Sequence, residues 1–176
     1  MTAWNRSDVA DEWRRNAESR NRYLAPATDA MFELARLEPG DRVLDLGTGA
    51  GDVAVMAAAR VGSHGSVVAT DASAAMVGAA QATLRDAGTS NATVRQMDVQ
   101  AIDLPDASVD AVLARMVLMF IDDLPRALAG VARVLSPGGR FVAATWSALA
   151  QNPFHAALIG VAREHGPLPE PDEPRA

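Results

Sequence analysis

The chain contains no lysine and no cysteine, one tyrosine and three histidines in 176 residues. All sixteen basic residues are therefore arginine. Without lysine there is no Schiff-base amine, no phosphate-loop lysine and no tyrosine–lysine catalytic pair. Without cysteine there is no thiolate nucleophile, no disulfide framework and no cysteine zinc site. The histidines, His64, His155 and His165, stand apart, and no His/Asp/Glu group has metal-ligand spacing, so no metal is expected. No segment reaches the ~18 uninterrupted apolar residues of a membrane helix, and residues 1–22 lack the apolar stretch of a signal peptide. A cytoplasmic address and no membrane span are the expectations. Positive charge is also in deficit. A net charge of −6 argues against a nucleic-acid backbone as the main partner.

What remains is an ordinary globular composition, 49% hydrophobic and 22% charged, with room for one core. Residues 1–38 read as a helical segment. Ser7 and Asp8 are candidate caps, Trp13, Ala17 and Leu24 share a face with arginines opposite, Pro26 interrupts, and a second helix runs from Thr28 to Leu37. Residues 39–165 then alternate between strand and helix. Strands are expected at Arg42–Leu46, Ser66–Thr70, Ala92–Met97, Val109–Leu113 and Arg140–Trp146. Helices are expected at Asp52–Arg60, Ala74–Ala87, Leu124–Leu135 and Asn152–Glu164. Ser136-Pro137-Gly138-Gly139 reads as a turn, and residues 166–176 as a proline-rich tail. Such alternation implies a parallel sheet with helices on both faces and a switch point beside the first strand.

The first strand runs into Gly47-Thr48-Gly49-Ala50-Gly51. Glycines there permit a sharp turn and close approach of a ligand to the backbone. The free N–H groups of the next helix face the same place. The spacing departs from the dinucleotide fingerprint G-x-G-x-x-G, because Asp52 stands where the third glycine belongs. Asp45, just before the turn, would repel a pyrophosphate and attract an ammonium group. Asp71 ends the second strand, some 20 residues beyond Gly51, where an acid can accept both hydroxyls of a ribose; a helix cap is the structural alternative. Asp98 ends the third strand, as an acceptor for an adenine amino group beside Val99 and Met76, or as a turn cap. Arg115 interrupts an apolar run, either in an ion pair with a nearby acid or as a partner for a carboxylate.

In this order the pieces resemble the class I S-adenosylmethionine-dependent methyltransferases over Asp41 to Trp146. The resemblance rests on Val43–Gly51, Asp71, Asp98, Val109–Arg115 and Arg133–Arg140. Within the class the chain is most similar to the branch holding ubiquinone/menaquinone-biosynthesis and other small-molecule methyltransferases. The resemblance implies an α/β, Rossmann-like parallel sheet in the order 3-2-1-4-5, with the last two strands of the family missing. It also implies S-adenosylmethionine as cofactor, with S-adenosylhomocysteine as product. Gly47, Gly49 and Gly51 would hold the methionine part, with Asp45 near its ammonium group. Asp71 would take the ribose, Asp98, Val99 and Met76 the adenine, and Arg115 the carboxylate. Residues 1–38 would form a helical lid over a 39–165 cofactor domain.

The activity implied is methyl transfer to a small-molecule acceptor by in-line displacement. Orientation alone can lower such a barrier by about 7–11 kcal/mol, and a base is needed only if the acceptor loses a proton. His155, after the fifth strand, is the candidate base; a helix-surface residue is the alternative. Trp4, Trp13 and Tyr23 suit an acceptor-side lid, or equally a staple that fixes the first helix. Met116, Leu118, Met119 and Phe120 suit an apolar wall, or simply core. The fifth strand is expected as an uncovered apolar edge, which invites pairing with a second copy. Two other readings are a non-catalytic S-adenosylmethionine-binding or dimerisation module and, more weakly, a nicotinamide-dependent oxidoreductase.

Overall fold

The computed structural model describes residues 3–148 and 151–166, without the side chains of residues 3, 154 and 155. The chain divides after Ala144 into two units. The first begins with helices α1 (Ser7–Arg15) and α2 (Ala17–Ala35). Strand β1 (Arg42–Leu46), helix α3 (Asp52–Val61), strand β2 (Ser66–Asp71) and helix α4 (Ala74–Asp86) follow. Strands β3 (Ala92–Gln96) and β4 (Val109–Arg115), helix α5 (Leu124–Val134) and strand β5 (Leu135–Ala144) complete it. The second unit contributes helix α6 (Pro153–His165), with Pro153 in its first turn, where the missing N–H costs nothing.

The five strands are parallel and ordered β3-β2-β1-β4-β5, as the resemblance implies. Alternation along β1 sorts the two faces. Val43 packs with Met31, Phe32 and Ala35 of α2 and with Val53, Ala57 and Val61 of α3. Leu44 and Leu46 point the other way, onto Ala127, Val131 and Val134 of α5. A third cluster joins Ala10 of α1, Ala50 of the glycine turn, and Met76 and Ala79 of α4, with Trp4 and Trp13 packed against it.

Several local expectations are corrected. Pro26 does not end the N-terminal helical segment; it lies inside α2. Proline there removes one backbone hydrogen bond and costs about 3 kcal/mol. The buried stripe of Leu24, Thr28, Met31, Phe32 and Ala35 holds the helix across it, and Thr28 Oγ1 donates to the Leu24 carbonyl at 2.9 Å. Arg6, not Ser7 or Asp8, occupies the cap position of α1, without a side-chain cap. Leu135 opens β5 rather than closing α5, and the strand ends at Ala144, before Trp146. The expected turn at Ser136–Gly139 lies within β5 as an irregularity. Leu135 pairs with Val109, and pairing resumes at Arg140 with Ala111, with Gly138 at φ +81° between them.

Candidate active site

The register places the chemistry-bearing residues together. Leu46 pairs with Thr70 on one side and Ala114 on the other, so Gly47, Asp71 and Arg115 come next along their chains. They stand at the carboxyl ends of β1, β2 and β4, where the strand order reverses. Open parallel sheets bind ligands at such a switch point.

The glycine turn is tied to β2. Thr48 N donates to the Thr70 carbonyl at 2.8 Å and Gly51 N to the Thr48 carbonyl at 3.0 Å. Gly47, Gly49 and Gly51 all take positive φ. Asp71 clamps the turn, with Oδ2 accepting from Gly49 N at 3.0 Å and Oδ1 from Ser73 N at 2.9 Å. The helix-cap alternative for Asp71 belongs instead to Ser73, whose Oγ accepts from Met76 N. Burial pushes the Asp71 carboxyl up, while the backbone donors of Ser73, Gly49 and Ala72 pull it down. Each oxygen keeps acceptor capacity for a further hydroxyl.

Asp45 is 1% exposed. Its Oδ2 accepts from Thr48 Oγ1 at 2.6 Å, but its Oδ1 is buried with no partner. Buried polar atoms are rarely left so, and each unsatisfied one calls for an explanation. Burial pushes the carboxyl up to about 7, against the lowering effects of Thr48 and Arg115. A ligand ammonium group fits this lone acceptor.

The Arg115 side chain is 8% exposed. Its Nη1 donates to Thr28 Oγ1 at 3.0 Å and its Nη2 to Asn21 Oδ1 at 3.1 Å. The same Nη2 lies 3.7 Å from Asp52 Oδ2, so the ion pair with a nearby acid is present. Arg20 hydrogen-bonds that same Asp52 oxygen. The sequence reading put the arginines of this segment on the face opposite Trp13. Arg20 instead lies half-buried against Trp13, with its guanidinium carbon 4.3 Å from the ring centroid.

Trp13 reaches the glycine turn. A methyl group on Gly49 would come 3.1 Å from Trp13 Nε1. Trp4 crosses the Trp13 ring at 82° with centroids 5.2 Å apart, and lies 6.1 Å from Phe120. Ser73 Oγ donates to the Trp4 carbonyl at 2.6 Å. Between the first two helices lies a cleft of about 420 Å³, lined by Trp4, Trp13, Glu12 and Arg20 among others. Tyr23 and Phe120 are exposed. Met116, next to Arg115, adopts φ +57°, a conformation unusual for a side-chain-bearing residue and common at functional sites.

The remaining predicted residues are placed as follows. Asp98 is exposed and caps a short 3-10 turn through Gln100 N at 2.8 Å. Val99 and Met76 are buried in different clusters, one against α5 and the other against α1. His155 lies on α6, and its side chain falls outside the described residues. Among the described residues no group of His, Cys, Asp or Glu could hold a metal. No described helix is long and apolar enough to cross a membrane.

The family model for a methyltransferase domain matches residues 43–139, more than half of the chain. The chain belongs to the class I S-adenosylmethionine-dependent methyltransferases. This methyltransferase domain is 37% identical over 117 residues to the ubiquinone/menaquinone biosynthesis C-methyltransferase UbiE of Teredinibacter turnerae, covering 66% of this chain and 47% of that protein. It is 36% identical over 118 residues to the nocamycin O-methyltransferase of Saccharothrix syringae, covering 67% and 42%. The methyltransferase domain thus spans somewhat less than half the length of these curated relatives. A SAM-dependent methyltransferase from Aquifex aeolicus superposes with a TM-score of 0.65 at 28% identity, covering 68% of this chain and 64% of that one.

The tight turn of this domain leaves a direct prediction. Gly47 has φ +61°, and a methyl group there would overlap the Val117 side chain. Gly47→Ala is expected to cost about 2 kcal/mol or more in stability, read as a midpoint several degrees lower in thermal unfolding. Sequence reasoning missed Arg20, Asn21 and Thr28 as members of the site. Their signal was a continuation of the α2 stripe: residues 20, 21, 24, 28, 31 and 35 recur at helical spacing, with polar groups at the end nearest the glycine turn.

Proposed function

We propose that this domain binds S-adenosylmethionine at the carboxyl ends of β1, β2 and β4 and transfers its methyl group to a small-molecule acceptor. The observation that carries the reading is the unpartnered, buried Asp45 Oδ1 beside the glycine turn, an acceptor in wait of a cation. Bound S-adenosylmethionine supplies a methyl made electrophilic by its sulfonium.

The chain's own residues do the rest. Asp45 takes the ammonium group of the methionine part, and Gly47, Gly49 and Gly51 let the backbone close around it. Asp71 accepts from the ribose hydroxyls while still holding Gly49 N. Asp98, Val99 and Met76 bound the adenine, and Arg115 takes the carboxylate. Residues 1–38 act as a lid over the carboxyl ends of β1, β2 and β4, with Trp13 as the cover nearest the glycine turn. The cleft beside Trp4 and Trp13 has a volume within the range of small-molecule sites. Its two indoles suit a planar acceptor. The names of the relatives, one a C-methyltransferase of quinone biosynthesis and one an O-methyltransferase, support a small-molecule acceptor without choosing the atom methylated.

The test is transfer of radiolabelled methyl from S-adenosylmethionine to a panel of phenols and quinols. Time-dependent, enzyme-dependent label in an organic-extractable product is expected. Tight S-adenosylmethionine binding with no transfer to any member of the panel would favour the non-catalytic binding module.

A further inference from the structure

Two guanidinium groups from different elements meet on a single carboxylate oxygen. Arg20 of α2 hydrogen-bonds Asp52 Oδ2, and Arg115 of β4 lies 3.7 Å from the same atom. The three side chains are 11%, 8% and 8% exposed for Arg20, Asp52 and Arg115. Taking charges out of water is costly even for a matched pair, and this trio has one arginine more than a pair requires.

Arg20 is itself held in place. Its Nη1 donates to the Trp13 carbonyl at 2.5 Å, and its guanidinium stacks on the Trp13 ring. Asp52 therefore faces a fixed first partner. Arg115 is kept at ion-pair rather than hydrogen-bond distance and gives its donors to Thr28 and Asn21. In that position its charge also acts on Asp45, at the end of β1.

We propose that Arg20 is a positioning residue for the carboxylate end of the ligand: by occupying Asp52 it keeps Arg115 beside Asp45 and available to a ligand carboxylate. The inference rests on the cofactor reading above. Without Arg20, the nearest cation to Asp52 Oδ2 is Arg115. The gap between them closes to charge-assisted hydrogen-bond distance, about 2.8 Å. Arg115 then turns away from Thr28 and Asn21, and the ligand carboxylate loses its partner.

The test compares two ligands with the same nucleoside and thioether. S-adenosylhomocysteine carries an ammonium and a carboxylate; decarboxylated S-adenosylhomocysteine keeps the ammonium and lacks the carboxylate. Their affinities are measured by calorimetry for the full chain and for Arg20→Ala, Arg20→Lys, Arg115→Ala and the double variant Arg20→Ala/Asp52→Asn. Arg20→Ala is expected to weaken S-adenosylhomocysteine about tenfold, the size of one charge-assisted hydrogen bond, and to leave decarboxylated S-adenosylhomocysteine within about twofold. Arg20→Lys restores a cation on Asp52 and recovers most of the loss. The double variant removes the competing carboxylate and recovers it as well. Equal weakening of both ligands, or of neither, by folded Arg20→Ala overturns the proposal. If Arg20→Ala does not fold, Arg20→Gln decides by the same ratio. If Arg115→Ala leaves the ratio of the two affinities unchanged, the carboxylate reading of Arg115 fails and this inference falls with it. If Arg115→Ala lowers the ratio and Arg20→Ala does not, the inference about Arg20 alone is wrong.

Discussion

Asp71→Ala is expected to weaken S-adenosylmethionine and S-adenosylhomocysteine at least ~100-fold. Two ribose hydroxyls donating to one carboxylate are worth about 1.5–3 kcal/mol each, and about 3 kcal/mol is already two decades in affinity. The substitution also frees the N–H groups of Gly49 and Ser73, which Asp71 now accepts from at 3.0 and 2.9 Å. Some loss of thermal stability accompanies the loss of binding. Asp71→Asn keeps one accepting oxygen but turns its amide N–H groups toward the other backbone donor, so it should fall between alanine and wild type in both affinity and unfolding midpoint. Calorimetric titration beside thermal unfolding reads both. Unchanged affinity in folded Asp71→Ala would remove the ribose role.

The second large effect is on pH. The Asp45 carboxyl, pushed up to about 7 by burial, is half protonated near neutrality in the free protein. The groups acting on it are Thr48, Arg115, Asp71 and Asp52; the first two lower it and the two acids raise it. A cation placed against Oδ1 favours the carboxylate, so its pKa falls when ligand binds. Binding then releases a proton, and affinity rises with pH until the free carboxyl is fully ionised. S-adenosylhomocysteine should bind about tenfold more tightly at pH 8 than at pH 6. Asp45→Asn should bind weakly with that dependence removed. Stability runs the other way. The folded pKa lies above the unfolded value, so between about pH 4 and 7 the unfolded state binds fewer protons than the folded one. The free protein should lose stability over that window, by up to ~4 kcal/mol from this group, and Asp45→Asn should flatten the loss. A titration in two buffers of different ionisation enthalpy counts the released proton. No proton release and a flat pH profile would contradict the assignment of Asp45.

The sheet was legible because its signals are local and strong. Short β-rich runs alternate with alanine-rich helices, and Gly47-Thr48-Gly49-Ala50-Gly51 marks the first crossover. Strands β1 to β4 begin at the expected residues, and β5 begins five residues early, at Leu135. Asp45 and Asp71 were legible for the same reason, as acids at strand ends beside that turn. Two kinds of feature were not. Pro26 reads as a helix breaker, but the buried stripe from Leu24 to Ala35 overrides a local preference of about 3 kcal/mol. The join at Leu135 reads as helix because the α5 pattern continues to it, while the pairing with Val109 is a long-range fact. The Arg20–Asp52–Arg115 trio is likewise tertiary. Its members lie far apart in sequence, on α2, α3 and β4, and an arginine in an N-terminal helix reads as a solvent-facing charge. Only the spacing of residues 20, 21, 24 and 28 hinted that the buried face extends to the glycine turn.

The central claim is that the carboxyl ends of β1, β2 and β4 form an S-adenosylmethionine site whose buried carboxylate receives the cationic end of the ligand. Calorimetric titration of the full chain with S-adenosylmethionine at pH 8 tests it most directly. The account predicts saturable binding at one site per chain, lost in Asp71→Ala. Folded protein that takes up no S-adenosylmethionine, or binds it equally well without Asp71, would contradict the account.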